Sequence, residues 1–196
     1  MDKWVTTRSC TTLPIQRHWK DANVRSKSID PPSPEGFNIE LLLDVPNPDL
    51  PALGSDPSAA IKMGPKQCWK LYFSDVKFRY IAVGNEVDPN RDDTSQFVKF
   101  VLPAMQNVYN AIAALGLQDQ IKVSTATYSA LVSNPSPSSN GSFDGVKSFM
   151  EPIIQFLAAN KSPLLANIYP YFAYNGDQQD ISLPYALFTA WLPQPF

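Results

Sequence analysis

Histidine occurs once and cysteine twice in this 196-residue chain, and that scarcity removes several kinds of chemistry at the outset. Cys10 and Cys68 form no CxxC pair, and neither stands at a metal-binding spacing from His18. The two thiols read as ordinary small hydrophobes, and no metal or cofactor is expected. No window of about 18 apolar residues exists, so no membrane span is expected. The opening MDKWVTTRSCTTLPIQRHWK lacks the apolar stretch of a secretory signal, and as written the chain reads as cytosolic. Charge of one sign is lacking too: 16 basic residues face 18 acidic ones, for a net charge of -2. That leaves no large field to steer a nucleic acid or an anionic membrane, and neither is expected as a partner. Glycine is scarce at 8 residues while proline reaches 19, which favours ordered, rigid loops. No low-complexity tract or internal repeat is visible.

What is present describes a soluble globular protein: 44% of residues are hydrophobic and 17% charged. The length suits one domain with its own core, but it is short for a closed barrel of eight strand-helix units, which takes about 250 residues. Residues 1–36 are polar, poorly periodic and finish in a proline cluster, IDPPSPEGF, that forbids regular helix or central strand. They read as an irregular or weakly ordered lead whose deletion should leave stability nearly unchanged. Order begins with the apolar run Ile39 to Val45, halted by Pro46.

Strand and helix then alternate. Residues 56–73 read as a modest helix and FRYIAVGNEV as a strand. A long helical stretch follows in which Phe97, Val101, Met105, Val108, Ile112 and Leu115 share one face. Pro103 should kink it or open a second helix, and Gly116 sits where a C-cap wants glycine. IKVSTATYSAL, a helix from Gly145 to Asn160, the strand LLANIYPYF and a helical stub after Pro184 complete four units. Such alternation implies an α/β fold with parallel strands. In these folds reactive groups gather at the C-terminal ends of the strands. The polar interruptions fall there: Asn47, Asn85 with Glu86, Thr127 with Tyr128, and Asn167 with Tyr169.

One of these ends carries a carboxylate. Residues 79–87, RYIAVGNEV, are an apolar run ending in Gly84, Asn85 and Glu86. Strand interiors seldom hold a carboxylate, because desolvating the charge costs several kcal/mol. Either the strand stops before Glu86, which is then a solvated loop residue, or the acid is used. Carboxyl groups beside apolar walls hold their proton more tightly, which suits general acid catalysis. Asn85 could hydrogen-bond a substrate hydroxyl. Tyr128, Tyr169, Tyr171, Phe172 and Tyr174 could offer flat surfaces on which sugar rings stack, or could simply be core.

DVKFRYIAVGNEV, LLLDVPN, KVSTATYSAL and ANIYPYFAYNGD together resemble the plant endo-1,3-β-glucanases of glycoside hydrolase family 17. The resemblance covers residues 37–189 in one register, and GNEV is among its most specific signatures. It implies a (β/α)8 TIM barrel, of which about four units are present, β-1,3-glucan as substrate, and a retaining mechanism with two glutamates. By resemblance Glu86 matches the general acid/base, Asn85 the neighbour that contacts the sugar 2-hydroxyl, and Tyr169 and Phe172 the cleft-lining NIYPYF segment. A monomer and an extracellular, cell-wall or vacuolar location are also implied, the last against the missing signal. The sequons Asn140-Gly-Ser and Asn160-Lys-Ser fit secretion.

The match has limits. The nucleophile of the family lies in a later motif resembling SETGWPS, which is absent; after PYALFT the sequence diverges into the tail of residues 190–196. Segments like GVCYG and YDP are missing before Phe37. The chain therefore reads as truncated at both ends, with the acid/base present and the nucleophile absent, and alone it should be inactive. The alternative is a non-catalytic glucan-binding or vestigial piece. Asp88 is the nearest substitute carboxylate but precedes Pro89 and reads as a loop or cap residue, and Asp44 as a structural hydrogen-bonding group.

Overall fold

In the computed structural model, which describes residues 4–7, 40–63, 77–135 and 138–190, the apolar runs become one parallel sheet. Its strands are β1 (Trp4–Thr7), β2 (Glu40–Val45), β3 (Lys77–Asn85), β4 (Lys122–Tyr128) and β5 (Leu165–Asn167). They lie side by side in chain order, each parallel to the next. Parallel neighbours need a crossover. Helices α1 (Leu50–Ser55) and α2 (Pro57–Met63) lie between β2 and β3, α3 (Val98–Ala113) between β3 and β4, and α4 (Lys147–Ala159) between β4 and β5. Helices α5 (Pro170–Gly176) and α6 (Leu183–Ala186) follow β5. Doubly wound sheets reverse their strand order at a switch point. An order that never reverses is that of a barrel wall.

The helices cover one face of this wall. Val45, Ile81, Val83 and Val123 turn toward them and meet Leu50 and Leu53 of α1, Ala60 of α2, Ile153 and Leu157 of α4, and the stripe Val101, Met105, Val108 and Ile112 of α3. The period-two alternation of the strands thus meets the three-or-four spacing of the helix in one apolar layer. Ala82 and Ser124, paired in register on the opposite face, are small and buried, and the Ser124 hydroxyl donates to the Pro163 carbonyl at 2.5 Å.

Several expectations change. Trp4–Thr7 is a strand paired with Glu40 to Leu43, so the lead over residues 1–36 is not irregular throughout, because the exposed edge of β2 offers it a ladder. Residues 8–36, both cysteines and residues 64–73 of the expected helix lie outside the described residues. Helix α1 was unmarked in the apolar pattern, yet Pro51 stands in its first turn, where a missing N–H costs nothing. Pro103 lies within a continuous α3 and begins no second helix. LLANIYPYF forms strand only over Leu165–Asn167, since Pro170 opens α5 instead.

Two leucine-sized side chains near the end of α3 provide a contrast. Ile112 is fully buried, whereas Leu115 is 46% exposed. Ile112→Ala should cost about 2–5 kcal/mol in urea unfolding, and Leu115→Ala should stay within about 0.5 kcal/mol. Equal costs would show that the apolar stripe of α3 is not the seam of the core.

Candidate active site

The end of β3 is shaped by one extra residue. Ala82 pairs with Ser124 and Asn85 with Ala126, so three steps along β3 match two along β4. Gly84 sits in this bulge at φ +78°, a left-handed conformation that side chains resist. Space is short as well: a Cβ there would stand 3.1 Å from Leu50 Cδ1 and 3.3 Å from Asn47 Oδ1. Thr125 Oγ1 donates to the Gly84 carbonyl at 3.3 Å. On the other side Asn47 replaces a strand neighbour. The Asn85 N–H donates to Asn47 Oδ1 at 2.8 Å, and Asn47 Nδ2 donates to the Asn85 carbonyl at 2.9 Å.

Beyond the bulge, the Glu86 N–H returns to the ladder by donating to the Ala126 carbonyl at 2.8 Å. Glu86 itself takes φ +51°, a region rare for a residue of this size and found at sites where the surroundings enforce it. Two donors meet its Oε1: the Tyr169 hydroxyl at 2.5 Å and Asn167 Nδ2 at 2.6 Å. The same Asn167 nitrogen donates to Asn85 Oδ1 at 2.9 Å. Both donors therefore converge on one oxygen of the carboxyl group. The bond to Glu86, with burial second, pushes the Tyr169 phenol above its ordinary ionisation range.

A second network lies beside the first. Asp88 is buried; its Oδ2 accepts from the Tyr128 hydroxyl at 2.8 Å and its Oδ1 from the Asn90 N–H at 2.8 Å. Thr94 Oγ1 accepts from the Asp88 N–H at 3.1 Å. The Arg91 guanidinium stands 5.9 Å from the Tyr128 ring centroid and pairs with Asp93 at 2.6 Å. Burial first, then the bond to Asp88, raises the Tyr128 phenol above its usual range.

The structure therefore brings Asn85, Glu86 and Tyr169 into one hydrogen-bonded cluster. Phe172 joins by ring contact, its centroid 6.1 Å from that of Tyr169, and Tyr171 packs edge-on against Phe172 at 5.4 Å. Tyr128 is different: its proton is committed to Asp88, although it pairs in register with Asn167. Asn47 and Asn167 stood among the polar strand ends but carried no assigned role. Their signal was an amide at the tip of a neighbouring strand. Among the described residues a concavity of about 340 Å³ lies elsewhere, between Phe143, Asp144 and the outer face of α4, and holds none of these groups.

The family model described as glycosyl hydrolases family 17 matches residues 34–192. The chain is 61% identical over 156 residues to a glucan endo-1,3-β-glucosidase of Vitis vinifera, covering 79% of this chain and 45% of that protein. It is 53% identical over 160 residues to glucan endo-1,3-β-glucosidase A of Solanum lycopersicum, with the same 79% and 45% coverage. Among solved structures it resembles a β-1,3-glucanase and pollen allergen of Cryptomeria japonica with a TM-score of 0.69 and 41% identity, over 80% of this chain and 48% of that one. The chain thus spans about half the length of the relatives it matches.

Gly84→Ala combines a left-handed backbone with a crowded Cβ and should lower stability by about 1–3 kcal/mol, read as a reduced urea midpoint at unchanged slope. An unchanged midpoint would show that the left-handed, crowded backbone at Gly84 is not required for stability. Glu86→Gln should bring the ionisation of Tyr169 back toward the ordinary tyrosine range, followed by ultraviolet difference titration against Tyr169→Phe. A titration that does not respond would mean that the Tyr169–Glu86 bond is not formed in solution.

Proposed function

Because this chain belongs to the glycosyl hydrolases of family 17, we propose that it supplies the acid/base side of a retaining endo-1,3-β-glucan hydrolase, with Glu86 as the proton donor and acceptor. The relatives named glucan endo-1,3-β-glucosidase support the substrate class. The observation that carries the role is the pair of donors on Glu86 Oε1.

In the first step the Glu86 proton passes to the glycosidic oxygen as its bond to the anomeric carbon breaks, while a second carboxylate attacks that carbon from the opposite face. Glu86 becomes negative at that moment. Tyr169 and Asn167 already point hydrogens at Oε1, so the new charge is met by preorganised donors and not by reorienting water. In the second step the Glu86 carboxylate takes a proton from the water that releases the glycosyl-enzyme. Asn85 Oδ1 is occupied by Asn167, which leaves the Asn85 amide hydrogens to donate to a sugar hydroxyl. Exposed Tyr169, Tyr171 and Phe172 give sugar rings a stacking surface.

The second carboxylate should stand about 5 Å from the first. Asp88 does not fit that role, since it is buried and both of its oxygens accept internal hydrogen bonds. The nucleophile of this proposal therefore lies outside the described residues. The aromatic surface also suits a second reading, glucan binding without turnover.

Laminarin cleavage, measured as reducing ends, separates these readings. The chain alone should show no turnover above Glu86→Gln. Combined with a polypeptide carrying the remaining half of a family 17 fold, it should turn over laminarin, and Glu86→Gln should then reduce the rate about 10²- to 10⁴-fold. Full turnover by the chain alone would overturn the placement of the nucleophile. Turnover that survives Glu86→Gln would overturn the role of Glu86, and binding with no turnover in either setting would favour the second reading.

A further inference from the structure

We propose that the chain carries one N-linked glycan acceptor, Asn140, and that its second sequon, at Asn160, stays unmodified. The pattern N-x-S/T occurs at both positions, but the fold treats them differently. An acceptor asparagine must present its amide nitrogen to solvent in a finished structure that leaves room for a bulky, hydrated oligosaccharide.

Asn140 meets that requirement. It ends a short 3-10 turn, Ser138–Asn140, at the tip of the loop that leaves the C-terminal end of β4, and both Asn140 and Gly141 are exposed. The base of the loop is fixed. The Ser133 N–H donates to the Ser142 carbonyl at 2.7 Å, the Ser142 N–H returns to the Ser133 carbonyl at 2.9 Å, and the Gly145 N–H donates to Ser133 Oγ at 3.3 Å. The hydroxyl of the sequon, on Ser142, is held by Asp144 Oδ2 at 2.8 Å. Asn140 is therefore exposed next to a hydrogen-bonded loop base, with no side chain at Gly141 to obstruct its neighbour.

Asn160 closes α4 and is half-buried. Its Nδ2 donates to the Phe156 carbonyl at 2.8 Å, and its own carbonyl accepts from Lys122 Nζ at 3.3 Å. The hydroxyl of its sequon, Ser162 Oγ, is buried without a hydrogen-bond partner in the fold. A sugar on Asn160 would have to leave from a half-buried nitrogen whose other hydrogen is held by the Phe156 carbonyl at the helix end. In the proposed transfer, Asn140 Nδ2 forms a bond to the anomeric carbon of a lipid-pyrophosphate-linked oligosaccharide. The bond from that carbon to the pyrophosphate oxygen breaks, the lipid pyrophosphate leaves, and the amide loses one proton.

The test is expression of the full chain behind a cleavable leader in a eukaryotic secretory host, with intact mass measured before and after peptide N-glycosidase treatment. One glycan should be present, absent from Asn140→Gln, and retained in Asn160→Gln. The enzyme treatment should convert residue 140 alone to aspartate, which peptide mapping reads without any variant. A glycan on Asn160, on both residues or on neither overturns the assignment.

Discussion

Everything at the candidate site depends on the single residue by which β3 exceeds β4. Without the bulge at Gly84, the register that pairs Ala82 with Ser124 would run on to place Asn85 opposite Thr127 and Glu86 opposite Tyr128, and the carboxylate would follow the pleat. With it, the ladder resumes only at the Glu86 N–H on Ala126, and the Glu86 backbone turns left-handed. Both unusual conformations fall within three residues. They are stabilised from two directions, by the reciprocal Asn47 bonds to Asn85 from the β2 side and by Thr125 from β4.

The amides around the site have separate tasks. Asn47 imitates a strand that is not there, pairing with the backbone just where β2 has ended and α1 is about to start. Asn167 acts between side chains, joining Asn85 to Glu86. Both amides offer a donor and an acceptor in fixed relation. A carboxylate at position 47 could accept from Asn85 but could not donate back. The neighbouring Asp88 network holds the loop after Glu86 by different means, through a buried carboxylate that fixes the Tyr128 hydroxyl and the Asn90 N–H.

The strands and the long helices were legible because each buries one periodic face: Ile81, Val83 and Val123 on the sheet, and Val101 to Ile112 on α3. Glu86 stood out as a charge ending an apolar run, and GNEV with the NIYPYF segment identified the family. Other features leave no periodic trace. Residues 4–7 pair through backbone groups, so composition gave no hint of β1. The continuity of α3 through Pro103 is a tertiary outcome, since its buried stripe outweighs one missing hydrogen bond. The division of labour between Tyr128 and Tyr169 was equally hidden, because spacing along two strands does not say which hydroxyl reaches which carboxylate.

That division has a consequence for dynamics. The backbone of Glu86 is anchored by the sheet through its N–H on the Ala126 carbonyl and directly follows the strand in which Val83 and Gly84 are buried. Its two donors come from β5 and the turn into α5, where no residue of either element is buried. Local opening is easiest where few apolar contacts resist it. The acid is therefore held beside the buried layer, and its hydrogen-bond donors by elements with no buried residue. Loss of Tyr169 and Asn167 from Oε1 would leave the carboxylate in place but deprive it of the groups that meet its charge. On the proposed function, the packing of β5 and α5 then governs how long the proton donor remains in working order.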